Sequence, residues 1–223
     1  FRLRKTKLYW NILGKTCTNG SSELMTNLSS SVVNTLFNFQ LMHFAGEDGV
    51  AAYGTLMYVN FIFVAIFLGY SIGSAPIVSY HYGARNSDEL KNLLTKSLKM
   101  IGVWGVALFA LAQLIASPLA RIFVGYDPDL FDLTRHGFRI FCLAFLINGF
   151  NIYGSSFFTA LNNGLLSALI SFLRTLVFQI ASVLLLPMIF GIDGIWGAVF
   201  VAEILTLCVT VICLVKKQKV YHY

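Results

Sequence analysis

Apolar residues along this chain fall into six runs, at about 21–44, 50–79, 100–124, 138–161, 165–190 and 195–215, separated by short polar or glycine-bearing breaks. A helix rises about 1.5 Å per residue, so roughly 20 residues cross about 30 Å of hydrocarbon, and every run reaches that length. The breaks carry turn chemistry: Gly46-Glu47-Asp48-Gly49, Asn162-Asn163-Gly164 and Gly191-Ile192-Asp193-Gly194. Pro76, Pro118 and Pro187 fall inside or near the ends of their runs, where a kink or a stop is expected. Arg85 to Lys99 is amphipathic, with Leu90, Leu93, Leu94 and Leu98 set against Lys91, Lys96 and Lys99. Gly125 to Arg139 is polar and reads as a loop or surface helix. The pattern predicts an all-α integral membrane protein with six transmembrane helices. A basic juxtamembrane segment over 1–20 precedes them and a basic tail over 216–223 follows.

Polar residues inside these runs are not scattered. Between Phe141 and Gly164, Asn148, Asn151, Ser155, Thr159 and Asn162 step by three, four, four and three, so they share one helix face. In the first run Glu23, Asn27, Ser31, Asn34 and Asn38 step by four, four, three and four. Lipid does not reward a wall of amides, so each stripe faces either a watery cavity or other helices. Interhelical hydrogen bonds in membrane bundles average only about 0.6 kcal/mol, and two long stripes exceed what one seam needs. The expectation is therefore a cavity lined by Asn27, Ser31, Asn34, Asn38, Asn148, Asn151, Ser155 and Thr159, with Glu23 at its edge.

Composition narrows the class. The chain of 223 residues is 57% hydrophobic and 12% charged, about half the charge of a soluble domain, and its mean hydropathy is +0.73. Its net charge of +6 sits beside the apolar runs and forms no continuous basic face, which argues against a nucleic-acid partner. Thirteen basic residues fall on the side of the termini: Arg2, Arg4, Lys5, Lys7, Lys15, Arg85, Lys91, Lys96, Lys99, Arg174, Lys216, Lys217 and Lys219. Only Arg121, Arg135 and Arg139 fall on the other side, among Glu47, Asp48, Asp127, Asp129, Asp132 and Asp193. By the positive-inside rule both termini are expected in the cytoplasm of a multi-pass protein of the cell membrane. The chain opens on Phe1 with a basic rather than apolar segment, so a piece of a longer protein is expected.

Little else suggests chemistry. Cys17, Cys142, Cys208 and Cys213 make no CxxC pair, and His43, His81, His136 and His222 are far apart. No HExxH, P-loop, nucleophile elbow or GxGxxG occurs, so no metal, cofactor or enzymatic activity is expected. Glu23 and Glu203 are the only carboxylates within runs, and an ionisable group at membrane depth costs at least about 2.5–3.5 kcal/mol. Glu203 shares a face with Thr206 and Thr210 and is a secondary site candidate, against a paired helix contact. Tyr80, Tyr82 and Arg85 close the second run and read as an interfacial anchor or a gate. Arg174 is expected to reach headgroups from the fifth helix.

Several segments, in order, resemble one family: GEDGVAAYG at 46–54, GSAPIVSYHYGARN at 73–86, FLINGFN at 145–151, SSFFTALNNG at 155–164, SFLRT at 171–175 and LPMIFGIDGIWGA at 186–198. Together they resemble the carboxy-terminal half of a MATE (multidrug and toxic compound extrusion) transporter, nearest the MepA/DinF-like branch. The resemblance implies one six-helix lobe of a twelve-helix carrier, with a missing amino-terminal lobe as its partner in the lipid bilayer. It implies export of small organic, often cationic, compounds by antiport against Na⁺ or H⁺. Alternatives are a flippase of lipid-linked oligosaccharides from the same wider superfamily, which calls for more cationic charge in the cavity, and a lobe inactive on its own. The chain departs from the NorM-like pattern at Phe150-Asn151, where an amide that cannot titrate stands in place of an acid.

Overall fold

The computed structural model describes residues 9–221, with the side chains of Asn19, Ser22, Glu23, Met25 and Lys219 outside the description. Among the described residues every regular element is helical: α1 (Trp10–Gly83), α2 (Ser87–Val124), α3 (Pro128–Phe141), α4 (Phe145–Ala160), α5 (Gly164–Phe172), α6 (Gln179–Leu185), α7 (Pro187–Phe190) and α8 (Ile192–Tyr221). A 3₁₀ turn, Cys142–Ala144, joins α3 to α4, and a π-helical segment, Leu173–Phe178, joins α5 to α6. Five stretches are long and apolar enough to cross a membrane: Thr26–Gly83, Ser87–Val124, Pro128–Ala160, Gly164–Phe190 and Ile192–Gln218.

The first of these crosses twice. α1 is continuous in its hydrogen bonding but turns at Gly46, whose φ of 62° and ψ of −149° lie outside the helical region. Glycine reaches that conformation without a Cβ penalty. Residues 34 and 53 would stand roughly 28 Å apart on a straight helix. Instead the Tyr53 hydroxyl donates to Asn34 Oδ1 at 2.8 Å, and the Phe37 and Tyr53 rings stack at 5.2 Å. The two arms, residues 10–45 and 47–83, are therefore an antiparallel pair, and the fold has six passes.

Capping sets the other boundaries. The Asn86 side chain accepts from Glu89 N and starts α2 ahead of the bilayer run, so residues 87–124 form one helix rather than a surface piece and a span. Asp127 accepts from Asp129 N and Leu130 N, with Pro128 in the first turn, so the fourth pass begins ten residues before the expected 138. Arg85 and Asn162 take positive φ, 54° and 58°, at the two hairpin turns of one end. There Asn163 Nδ2 donates to the Tyr221 hydroxyl at 2.6 Å, and Trp10, Lys15 and Asn162 line one cleft. Both described ends of the chain thus lie at the same end of the bundle. At the other end His136 Nε2 and Asp193 Oδ1 approach to 2.8 Å.

The core runs between the passes, with α4 at its centre. Phe145, Tyr153, Phe157 and Phe158 are buried, as are Phe37, Leu41, Leu56 and Trp196 around them. Close approach needs small residues. A Cβ on Gly105 would stand 3.1 Å from the Phe145 carbonyl, and Ala112, Ala116 and Ala120 continue that buried face of α2. Outward positions such as Ile62, Val103 and Leu114 are apolar and exposed, as lipid-facing positions are.

Candidate functional site

A cavity of about 200 Å³ opens among five of the six passes. Thr26, Ser30, Asn34 and Phe37 of the first arm of α1 line it, facing Tyr53, Asn60 and Phe61 of the second. Asn148 and Ile152 of α4, Arg174 and Thr175 of the π segment, Gln179 of α6 and Glu203 of α8 complete the wall. The π segment shifts the register of the fifth pass by one residue, and such bulges recur at functional sites. Two neighbouring residues, Arg174 and Thr175, line the wall there.

One polar cluster dominates. Arg174 Nε donates to Glu203 Oε1 at 2.9 Å and to Oε2 at 3.2 Å, and Arg174 Nη2 lies 2.8 Å from Oε1. Nη2 also donates to Asn148 Oδ1 at 2.8 Å. Asn151 Nδ2 donates to Glu203 Oε2 at 2.6 Å and to the Glu203 carbonyl at 2.9 Å, while Thr210 Oγ1 donates to Asn151 Oδ1 at 3.1 Å. The Glu203 side chain is 1% exposed and that of Arg174 15%. Removing two charges from water is tolerable here because each is paired and the remaining lone pairs are bonded.

A second, uncharged cluster lies one turn away between α4 and α5. Ser155 Oγ is 2.8 Å from Ser167 Oγ and 2.9 Å from Ser171 Oγ, and Thr159 Oγ1 is 2.7 Å from Ser167 Oγ. Its hydroxyls satisfy one another across a helix pair.

The expected site residues therefore divide. Asn34 and Asn148 line the cavity. Asn151, Ser155 and Thr159 are instead bonded into seams with α8 and α5, so the fourth-pass stripe is a seam over most of its length. Asn38 Nδ2 donates back to the Asn34 carbonyl at 3.0 Å, and Asn27 and Ser31 are exposed on the outside of this lobe. The cavity face of the first arm lies one residue off that stripe, at Thr26 and Ser30. The Glu23 side chain lies outside the described residues.

Arg174, expected among headgroups, is paired inside the lobe, because Gly164 starts the helix at the bundle end and carries position 174 about 15 Å inward. Tyr80 and Arg85 are exposed at the end of α1, and Tyr82 meets the Tyr221 ring edge-on at 5.7 Å. Tyr53, Asn60, Thr175 and Gln179 were not singled out from sequence. A fifth-run stripe of Ser167, Ser171, Thr175 and Ser182 at helical spacing was available to point to the inward side of that pass.

The family model MatE matches residues 24–185. The chain belongs to the MatE family. It is 22% identical over 207 residues to the probable multidrug resistance protein YoeA of Bacillus subtilis, covering 89% of this chain and 43% of that protein. It is 24% identical over 199 residues to an FAD transporter of Shewanella oneidensis, covering 88% and 42%. A crystal structure of MATE in complex with MaL6 superposes with a TM-score of 0.90 at 20% identity, over 99% of this chain and 50% of that one. The chain thus spans less than half the length of the curated relatives it matches, and has the fold of half a MATE transporter. MatE proteins are transporters rather than enzymes.

Proposed function

We propose that this MatE chain is one lobe of a twelve-helix secondary transporter, nearest the MepA/DinF-like branch, that exports bulky organic compounds in exchange for Na⁺ or H⁺. The observation that carries this reading is the cavity among five passes, walled by amides, hydroxyls and aromatic rings. Its volume of about 200 Å³ is below that of a drug-sized pocket, as half of a site closed by a second lobe would be. Asn34, Asn60, Gln179 and Tyr53 offer hydrogen bonds without a fixed charge to desolvate, which suits varied cargo. The names of the two curated relatives, a multidrug resistance protein and an FAD transporter, support small organic cargo. Glu203 is already caged by Arg174 and Asn151, so the principal coupling carboxylate is assigned to the amino-terminal lobe. The charge asymmetry supports a reading in which the lobe sits in the cell membrane with both termini in the cytoplasm.

The test is ethidium efflux by the full-length protein in proteoliposomes carrying an imposed Na⁺ or pH gradient. Efflux that rises with one gradient and collapses with its dissipation is expected. Efflux indifferent to both, or none, refutes the antiport reading.

A further inference from the structure

Arg174 and Glu203 both line the cavity, and Arg174 is the more open of the two. Glu203 is 1% exposed and each of its oxygens is taken, Oε1 by Nε and Nη2 of Arg174, Oε2 by Arg174 Nε and Asn151 Nδ2. Arg174 is the more open partner at 15%, and its Nη1 takes part in none of the bonds made with Glu203 and Asn148. These two are the only charged side chains lining the cavity among the described residues. The pair is neutral as a whole, yet it is oriented. What a molecule in the cavity meets first is the guanidinium, and at short range in a medium of low dielectric the nearer pole decides the interaction. The amides around the space, Asn34, Asn60 and Gln179, can donate hydrogen bonds, whereas the Tyr53 hydroxyl already donates to Asn34 Oδ1.

We propose that Arg174 anchors the acidic group, a carboxylate, sulfonate or phosphate, of an amphipathic organic cargo in this cavity. The word cargo rests on the exporter reading; the preference for an anion does not. A guanidinium presents a planar fork of donors that matches such groups, and Glu203 and Asn148 hold the fork in place before anything binds. Glu203 is at once the counter-ion that makes a buried Arg174 tolerable and the internal competitor that an incoming anion must share it with. A cationic compound meets the same guanidinium as a like charge. The cavity therefore discriminates against the cationic cargo that the family resemblance implies, unless a carboxylate from the other lobe offsets Arg174.

The test is equilibrium binding to the purified full-length protein, read as fluorescence polarisation of two xanthene dyes of similar size and opposite charge, carboxyfluorescein and rhodamine 6G. Wild type is expected to bind carboxyfluorescein. Arg174→Gln with Glu203→Gln removes both charges and leaves no lone ion buried. It is expected to lower the carboxyfluorescein-to-rhodamine affinity ratio by about tenfold, the worth of a hydrogen bond to a charged group. Glu203→Gln alone releases the guanidinium from its competitor and is expected to raise that ratio. A pair with only a structural role would weaken both dyes together and leave the ratio unmoved. An unmoved ratio in either variant, or no carboxyfluorescein binding by wild type, overturns the assignment. Anion binding that responds to both variants in a protein that shows no gradient-driven efflux would overturn the exporter reading and leave Arg174 as the anchor.

Discussion

Glu203 and Arg174 each take part in four side-chain contacts inside the lobe. Arg174→Ala strands its carboxylate in a 1% exposed site, and an uncompensated buried charge of that kind costs about 3–5 kcal/mol. Arg174→Met combined with Glu203→Leu replaces the pair by apolar groups of similar volume and is expected to regain most of that loss. Thermal unfolding in detergent reads both, and additive losses in the double variant would contradict the pairing. Asn151 explains itself in the same way. Its Nδ2 donates to Glu203 Oε2 at 2.6 Å, so Asn151→Asp would set a second carboxylate directly against the first, while Arg174 is bonded to Glu203. Asn151→Asp is therefore expected to melt below Asn151→Ala, which loses about 1–3 kcal/mol in unmade hydrogen bonds. The helical spacing of Asn148, Asn151, Ser155 and Thr159 made their common face legible in the sequence. What that face meets was not legible, because each partner lies 8 to 59 residues away in the chain and no local pattern encodes it.

At the scale of elements, the turns were readable and the registers were not. Gly46 and Asn162 carry the positive φ that their turn chemistry announces. The early start of the fourth pass at Pro128 was obscured by its acidic first turn, which reads as a loop until Asp127 is recognised as the cap. On the first arm Asn34 of the amide stripe lines the cavity, but Asn27 and Ser31 sit one residue off its face at Thr26 and Ser30, a rotation of about 100° that sequence periodicity alone does not resolve. The deciding interaction is packing, and α4 shows it at Gly149. A Cβ there would stand 2.5 Å from ring carbons of Phe67 and 2.7 Å from Ile101. Gly149→Val is expected to cost at least about 1–3 kcal/mol by overpacking and to cut the monodisperse yield in size-exclusion chromatography. Gly73 has nothing within 4 Å of its Cβ position, and Gly73→Ala is expected to leave that yield unchanged. Equal losses at the two glycines would mean that α4 does not pack on the second arm of α1.

For the whole molecule, the number of crossings and the direction of the chain stand or fall together. Counted as uninterrupted helices, five stretches are long and apolar enough to cross a membrane, and an odd count would place the two ends of the chain on opposite sides. The turn at Gly46 makes six, in agreement with the Trp10, Lys15 and Asn162 cleft and the Asn163–Tyr221 bond that gather both ends at one end of the bundle. That end carries Arg85, Lys91, Lys216 and Lys217, and the opposite end carries Asp48, Asp127, Asp132 and Asp193. In the proposed orientation the basic end lies in the cytoplasm, where lysine and arginine near the ends of spans are held. Two exposed positions test both statements at once, Asp48 beside the first turn and Asp88 in the first turn of α2. In a full-length protein with Cys17, Cys142, Cys208 and Cys213 replaced by alanine, Asp48→Cys is expected to react with a membrane-impermeant maleimide added to intact cells. Asp88→Cys is expected to react only after the membrane is opened. Reaction at 88 alone would invert the molecule. Protection of 48 on both sides would bury the Gly46 turn in the bilayer, reduce the passes to five, and dissolve the cavity that the two arms of α1 enclose with the other helices.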